Sequence, residues 1–149
     1  MTRQFKFLSL TLRAKLTYLA HLVKGITKQH HVWMNFLLRK FISSESTILD
    51  IGGHSGQYAK LFARLAPKGI VYSFEPGSYP RSILKLSMFF NRIKNVVVVD
   101  NGLGAAPGIL SLVTPIKDNG VFRFGLAYIG IRENSKFTKV EEVSVTTID

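Results

Sequence analysis

Apolar residues recur near the start of the chain at the spacing of one helix face: Leu8, Leu12, Leu16, Leu19, Val23 and Ile26 lie four, four, three, four and three residues apart. This predicts an amphipathic helix, with Gly25 weakening its final turn. A second helical stretch carries Val32, Trp33, Phe36, Leu37 and Phe41 and stops before the polar Ser43-Ser44-Glu45-Ser46. There the period changes. Thr47–Ile51, Ile70–Phe74 and Val96–Val99 are short apolar runs that predict strands, the last apolar on both faces as a buried parallel strand is. Between them, Tyr58, Leu61, Phe62 and Leu65 mark a helix ended by Pro67-Lys68-Gly69, and Ser82–Asn91 marks another with Leu84, Leu86, Met88, Phe89 and Phe90. Strands alternating with helices imply right-handed crossovers and a parallel α/β sheet. From Gly104 onward, Gly108, Pro115, Gly120, Gly125 and Gly130 break the chain into pieces, of which Ile109–Val113, Val121–Phe124 and Val140–Val145 read as an antiparallel excursion.

A chain of 149 residues with 46% hydrophobic content can bury one core and is not disordered. It contains no cysteine, which excludes disulfides, thiolate zinc sites and a cysteine nucleophile and fits a cytoplasmic location. No apolar run reaches the length of a membrane span. The net charge of +11 is uneven, because residues 1–47 hold Arg3, Lys6, Arg13, Lys15, Lys24, Lys28, Arg39 and Lys40 against Glu45 alone. A signal peptide at Phe5–Leu12 is ruled out by Arg13 and Lys15 and by the lack of a cleavage site. Two uses of a basic helical lead-in over residues 1–46 remain open: a cover for the sheet or its ligand mouth, or weak docking on an anionic membrane surface. Nucleic acid is disfavoured, since aromatic and basic residues do not interleave on the strands.

The chemistry concentrates where the first strand ends. Asp50 is followed by Gly52, Gly53 and Gly56, and such a loop lets a ligand approach the backbone and a helix pack close behind. A dinucleotide loop would need glycine two residues after Gly52, where His54 stands. What remains is Asp50-x-Gly52-x-x-x-Gly56, with the helix starting near Ser55, and this spacing resembles that of S-adenosylmethionine-dependent methyltransferases. Glu75 lies nineteen residues after Gly56, between the second strand and Pro76, where a carboxylate can accept both ribose hydroxyls of an adenosine. Asp100, Asn101 and Gly102 follow the third strand and either meet the adenine or form a plain turn. His54 either reaches the ligand or faces solvent. His21, His30, His31 and His54 do not form a metal set, because no carboxylate completes one.

The stretches Leu49–Tyr58, Gly69–Pro76, and Asn91 with Asn95–Gly104 together resemble the FkbM-type S-adenosylmethionine-dependent methyltransferases, from about Thr47 to the last residue. The resemblance implies a Rossmann-like class I methyltransferase sheet with helices on both faces and strand order 3-2-1-4-5-7-6. It also implies methyl transfer to a hydroxyl of a sugar, glycan or other small-molecule acceptor, with Asp50, Gly52, Gly53, His54, Gly56, Glu75, Pro76, Asp100, Asn101 and Gly102 around the cofactor. The family's fourth strand, which faces the substrate, follows a stretch like Val143–Asp149. Residues 47–149 therefore read as the N-terminal half of such a domain, cut after the third strand and the antiparallel excursion, with the first strand's outer edge open. A cofactor-binding fragment without turnover and a nucleic-acid methyltransferase are the alternatives.

Overall fold

The computed structural model describes residues 6–116, 122–130 and 138–148. A lead-in helix α1 (Leu12–Thr27) and a single-turn helix α2 (Asn35–Leu38) precede β1 (Thr47–Ile51), α3 (Gln57–Leu65), β2 (Ile70–Phe74), α4 (Ser78–Phe90) and β3 (Val96–Val99). Then come β4 (Gly102–Leu103), β5 (Gly108–Pro115), β6 (Tyr128–Ile129) and β7 (Thr138–Thr146). The fold is α/β with Rossmann-like connectivity: β1, β2 and β3 pair in parallel in that order, each joined to the next by a helix. A second sheet, ordered β4-β7-β5-β6, is antiparallel except for β4 beside β7.

Both crossovers advance in the same direction, so α3 and α4 lie on one face of the parallel sheet. There Ala59 and Leu84 are fully buried and Met88 nearly so, packed with Val96 and Val98. The alternate face, bearing Leu49, Ile51 and Val97, is exposed, and β1 is an edge strand among the described residues.

The lead-in departs from its sequence pattern. Leu8, Leu12, Leu16, Leu19 and Val23, expected to face inward, are all exposed. Helix α1 docks on α4 through another face instead, where Tyr18 and partly buried Leu22 pack with Tyr79 and Ile83. Gly25 does not end the helix. A Cβ there would sit 3.1 Å from Ile83 Cγ2, so glycine is what allows the two helices to approach. The last turn of α1 is then fastened from three sides. Lys60 Nζ donates to Gly25 O at 2.6 Å and Lys28 O at 2.7 Å. Ser87 Oγ also donates to Gly25 O, at 2.9 Å, and Asn91 Nδ2 donates to Ile26 O at 3.2 Å. These bonds satisfy carbonyls that a helix end leaves unpaired, and they place a cation at its negative pole. The second predicted helix shrinks to a 3-10 turn over Val32–Met34 and the one turn of α2.

Other boundaries move for local reasons. Helix α3 starts at Gln57 because Gly56, at φ 82°, takes the left-handed conformation just before it. Helix α4 begins at Ser78, four residues before the expected Ser82, since Pro80 is tolerated in a first turn. Of the strand expected over Val121–Phe124, Val121 lies outside the described residues, Phe122 forms one bridge to Ile116, and Phe124 opens a 3-10 turn. The strand that pairs with β5 there is β6.

Candidate functional site

The glycine loop leaves β1 under a backbone clasp: Gly52 N–H and Gly53 N–H both donate to Phe74 O, at 2.9 and 3.0 Å, tying the loop to the end of β2. Gly52, His54 and Gly56 all have positive φ, at 79°, 47° and 82°. The glycines serve different ends. A Cβ on Gly53 would collide with Ser73 Oγ, and one on Gly56 would lie 2.9 Å from Met88 Cε, so both permit internal packing. Around Gly52 a Cβ would meet nothing within 4 Å, and this glycine faces open space.

Asp50 points into the sheet rather than out of it. It is 6% exposed and accepts a hydrogen bond from Ser73 Oγ at 2.8 Å, across the register that pairs the two residues. Burial pushes its carboxyl above the usual range, with Ser73 opposing.

Glu75, 7% exposed, is the centre of the loop's architecture. Its Oε2 accepts from His54 N–H and its Oε1 from Gly77 N–H, each at 2.8 Å. One carboxylate thus closes both the glycine loop and the turn into α4. Burial raises its pKa most, the two N–H groups and Arg81 oppose, and Glu141 adds a further rise. Glu141, on β7, is the second carboxylate here: Oε1 accepts from Ser78 N–H at 2.8 Å and Oε2 from Ser78 Oγ at 2.9 Å. Two acids therefore meet the N-terminal end of α4, where the helix dipole favours negative charge. Glu141 was legible in the alternation Glu141-x-Val143-x-Val145, which puts it on the same inward face as two valines.

These groups line a cavity of about 180 Å³ that includes Gly52, His54, Glu75, Pro76, Gly77 and Glu141. The structure therefore gathers Gly52, His54, Glu75 and Pro76 from the sequence-derived set. Asp50, Gly53 and Gly56 line neither this cavity nor its neighbour. Asp100, Asn101 and Gly102 are partly buried, and Gly102, drawn into β4, sits behind Pro76: a Cβ on it would be 3.7 Å from Pro76 Cγ.

A larger cavity of about 420 Å³ adjoins the first, and His54, Tyr79, Pro80 and Phe124 line both. Tyr79 stacks on Phe124 with ring centroids 3.8 Å apart, and its hydroxyl lies 2.9 Å from His21 Nδ1. His21, Lys24, His30 and Arg123 also line this space, and among the described residues no carboxylate does. Partial burial, then Lys24, lowers the pKa of His21; partial burial, then His21, lowers that of His54. Burial raises that of the Tyr79 hydroxyl. Apart from His54, none of this second set was read as a site from the sequence, because His21 reaches the loop only through the docking of α1. Among the described residues no group of three metal-ligating side chains occurs.

No protein-family model matches the chain, and no curated protein does. Among solved structures, it is similar to a Clostridium thermocellum protein with the provisional description of rRNA-methylase, at 16% identity and a TM-score of 0.45. The match takes in 50% of this chain and 43% of that one.

Proposed function

We propose that the cavity beside Gly52 and Glu75 binds the adenosine part of S-adenosylmethionine, and that the chain carries the cofactor-binding part of a methyltransferase acting on a small-molecule or glycan hydroxyl. The observation that carries this reading is the meeting of one open, left-handed glycine and one buried carboxylate at the carboxyl end of two parallel strands. The donor set fits the ligand. Each Glu75 oxygen accepts one backbone N–H, and a carboxylate oxygen has a second lone pair to offer a ribose hydroxyl. The backbone at Gly52 leaves room for close approach.

When bound, the cofactor supplies an electrophilic methyl group on a sulfonium. This chain's residues then have two tasks, to align an acceptor and to receive its proton. The larger cavity is where the acceptor sits in this reading. His21 is its proton acceptor: with Nδ1–H donating to the Tyr79 oxygen, Nε2 keeps its lone pair, and partial burial with Lys24 nearby favours the neutral ring. Asp50 acts behind the site by holding Ser73 against the loop.

Calorimetric titration with S-adenosylhomocysteine tests the reading. Binding that weakens about ten- to a hundredfold in Glu75→Ala supports it, as expected for losing a charged acceptor. An equal affinity in wild type and variant overturns the ribose assignment. His21→Gln should leave that affinity unchanged and lower methyl transfer where turnover is measurable.

A further inference from the structure

The lead-in buries one face and displays another that is more apolar. Leu12, Leu16, Leu19 and Val23 form one row along α1, exposed by 75, 60, 46 and 57%, and Leu8, on the 3-10 turn before the helix, is exposed by 86%. The row is fixed to the domain from behind, because Lys60, Ser87 and Asn91 fasten the end of α1 while Tyr18 and Leu22 dock its opposite side. Beyond α1 the chain displays aromatics in the same way: Trp33, Phe36 and Phe41 are 74, 76 and 78% exposed. So many bare apolar side chains exceed what a soluble surface ordinarily shows by scatter, and they mark an interaction surface.

Charge identifies the partner. Residues 6–44 contain no aspartate or glutamate, while Arg13, Lys15, Lys24, Lys28, Arg39 and Lys40 lie among and beside the apolar positions. Lys40 Nζ stands over the Phe36 ring, 4.9 Å from its centroid, a cation on an aromatic face. A second copy would bring the same uncompensated positive charge to the contact, and like charges across an interface oppose association. A bilayer with anionic headgroups satisfies both properties: it takes aliphatic and aromatic side chains to the acyl boundary and Lys and Arg to the headgroups. No described helix is long and apolar enough to cross a membrane, so the contact is with its surface.

We propose that α1 and the segment through Phe41 form a docking surface for an anionic lipid bilayer. It places the cavity lined by His21 and Lys24, both on α1, close to that surface.

Trp33 is the single tryptophan and reports directly on this face. The full chain is mixed with vesicles of phosphatidylcholine containing phosphatidylserine, and Trp33 emission and co-sedimentation are followed. Expected are a blue shift and a vesicle-bound fraction at low salt, with apparent affinity falling at least about tenfold in 0.5 M salt as screening shortens the reach of the headgroup charge. Leu12→Glu with Leu16→Glu should lower affinity by about tenfold or more; circular dichroism equal to wild type shows that these exposed changes leave the fold intact. A second variant, Lys24→Ala with Lys28→Ala, should weaken binding to anionic vesicles several-fold. Unmoved emission and an empty vesicle pellet overturn the proposal. So does salt-independent binding of equal strength to pure phosphatidylcholine, which would remove the headgroup charge from the account. A concentration-dependent dimer abolished by Leu12→Glu with Leu16→Glu, seen while vesicles leave Trp33 unmoved, also overturns it and assigns the face to a second copy.

Discussion

Two buried charge clusters sit on helix ends in this molecule, and they differ in what lies beside them. At the start of α4, Glu75 and Glu141 take the Gly77 and Ser78 N–H groups; at the end of α1, Lys60 takes the Gly25 and Lys28 carbonyls. Each charge opposes the sign of the helix terminus it meets. Lys60, however, is 1% exposed and lines neither cavity, whereas both acids border one. The same physical device therefore serves docking in one place and, in the reading advanced here, recognition in the other. Burial of a charge does not separate the two roles. What the charge has left to offer, and to which space, does.

Removing Glu141 should have the largest effect on stability and break the comparison most directly. Glu141→Leu leaves Ser78 N–H and its hydroxyl without their acceptor and frees β7 from α4, at about 1–3 kcal/mol for each orphaned group. Urea denaturation should show a loss of about 2–5 kcal/mol, roughly half regained by Glu141→Gln. Unaltered midpoints in both variants would mean that the second sheet is held by its apolar contacts alone.

Next in size is Glu75→Ala, which acts on both sides of the comparison: stability falls by about 1–3 kcal/mol, and the affinity loss proposed above comes in addition. That is less than two fully orphaned groups would cost, because the His54 and Gly77 N–H groups border a cavity that water can enter. Lys60→Met is smaller, about 1–2 kcal/mol, since Gly25 O keeps Ser87 Oγ and the ammonium's burial penalty vanishes with it. S-adenosylhomocysteine affinity should not move in Lys60→Met. If it falls as in Glu75→Ala, the division between docking and recognition charges fails.

The parallel strands were fully legible: Thr47–Ile51, Ile70–Phe74 and Val96–Val99 appear with the bounds that their apolar runs predict. Short runs between helices leave little room for another register. The orientation of α1 was not legible, because two stripes of helical period compete on it. Aliphatic count favoured Leu8 through Val23, while the docking side used Tyr18, Leu22 and Gly25, where a glycine reads as a breaker until its neighbour Ile83 is known. The adjacent Gly52 and Gly53 are likewise alike in sequence. Only the position of Ser73 shows that one glycine is packed and the other open. Asn91, read as closing its own helix, and Asn95, which had no assigned task, both fasten helix ends, Asn91 through Ile26 O of α1 and Asn95 through Ala63 O and Ala66 O. The His21–Tyr79 contact spans 58 residues and depends on that misjudged helix face, so no local pattern announces it.

The smallest expected effect is a pH slope that belongs to one cluster alone. Burial, with Arg64 adding, lowers the Lys60 pKa from 10.5 to about 8. Between those values the unfolded chain holds the proton and the folded one releases it, so stability rises with pH across that window and is level below it. The neutral amine still donates to both carbonyls, which is why losing the proton relieves the burial penalty without losing the clamp. The rise should be on the order of 1 kcal/mol between pH 7.5 and 9.5, well under the limit of about 1.4 kcal/mol per pH unit for a single group. Glu75 works in a separate window: its raised pKa lets the folded state keep a proton that the unfolded chain loses near 4.5, so its contribution declines as pH climbs past that value and is constant in alkali. Urea titrations at four pH values on wild type and Lys60→Met isolate the effect, because the substitution should flatten the alkaline rise and leave the acid limb in place. An equal rise in both proteins would assign the slope to another group and remove the ionised lysine from the account of how α1 is held.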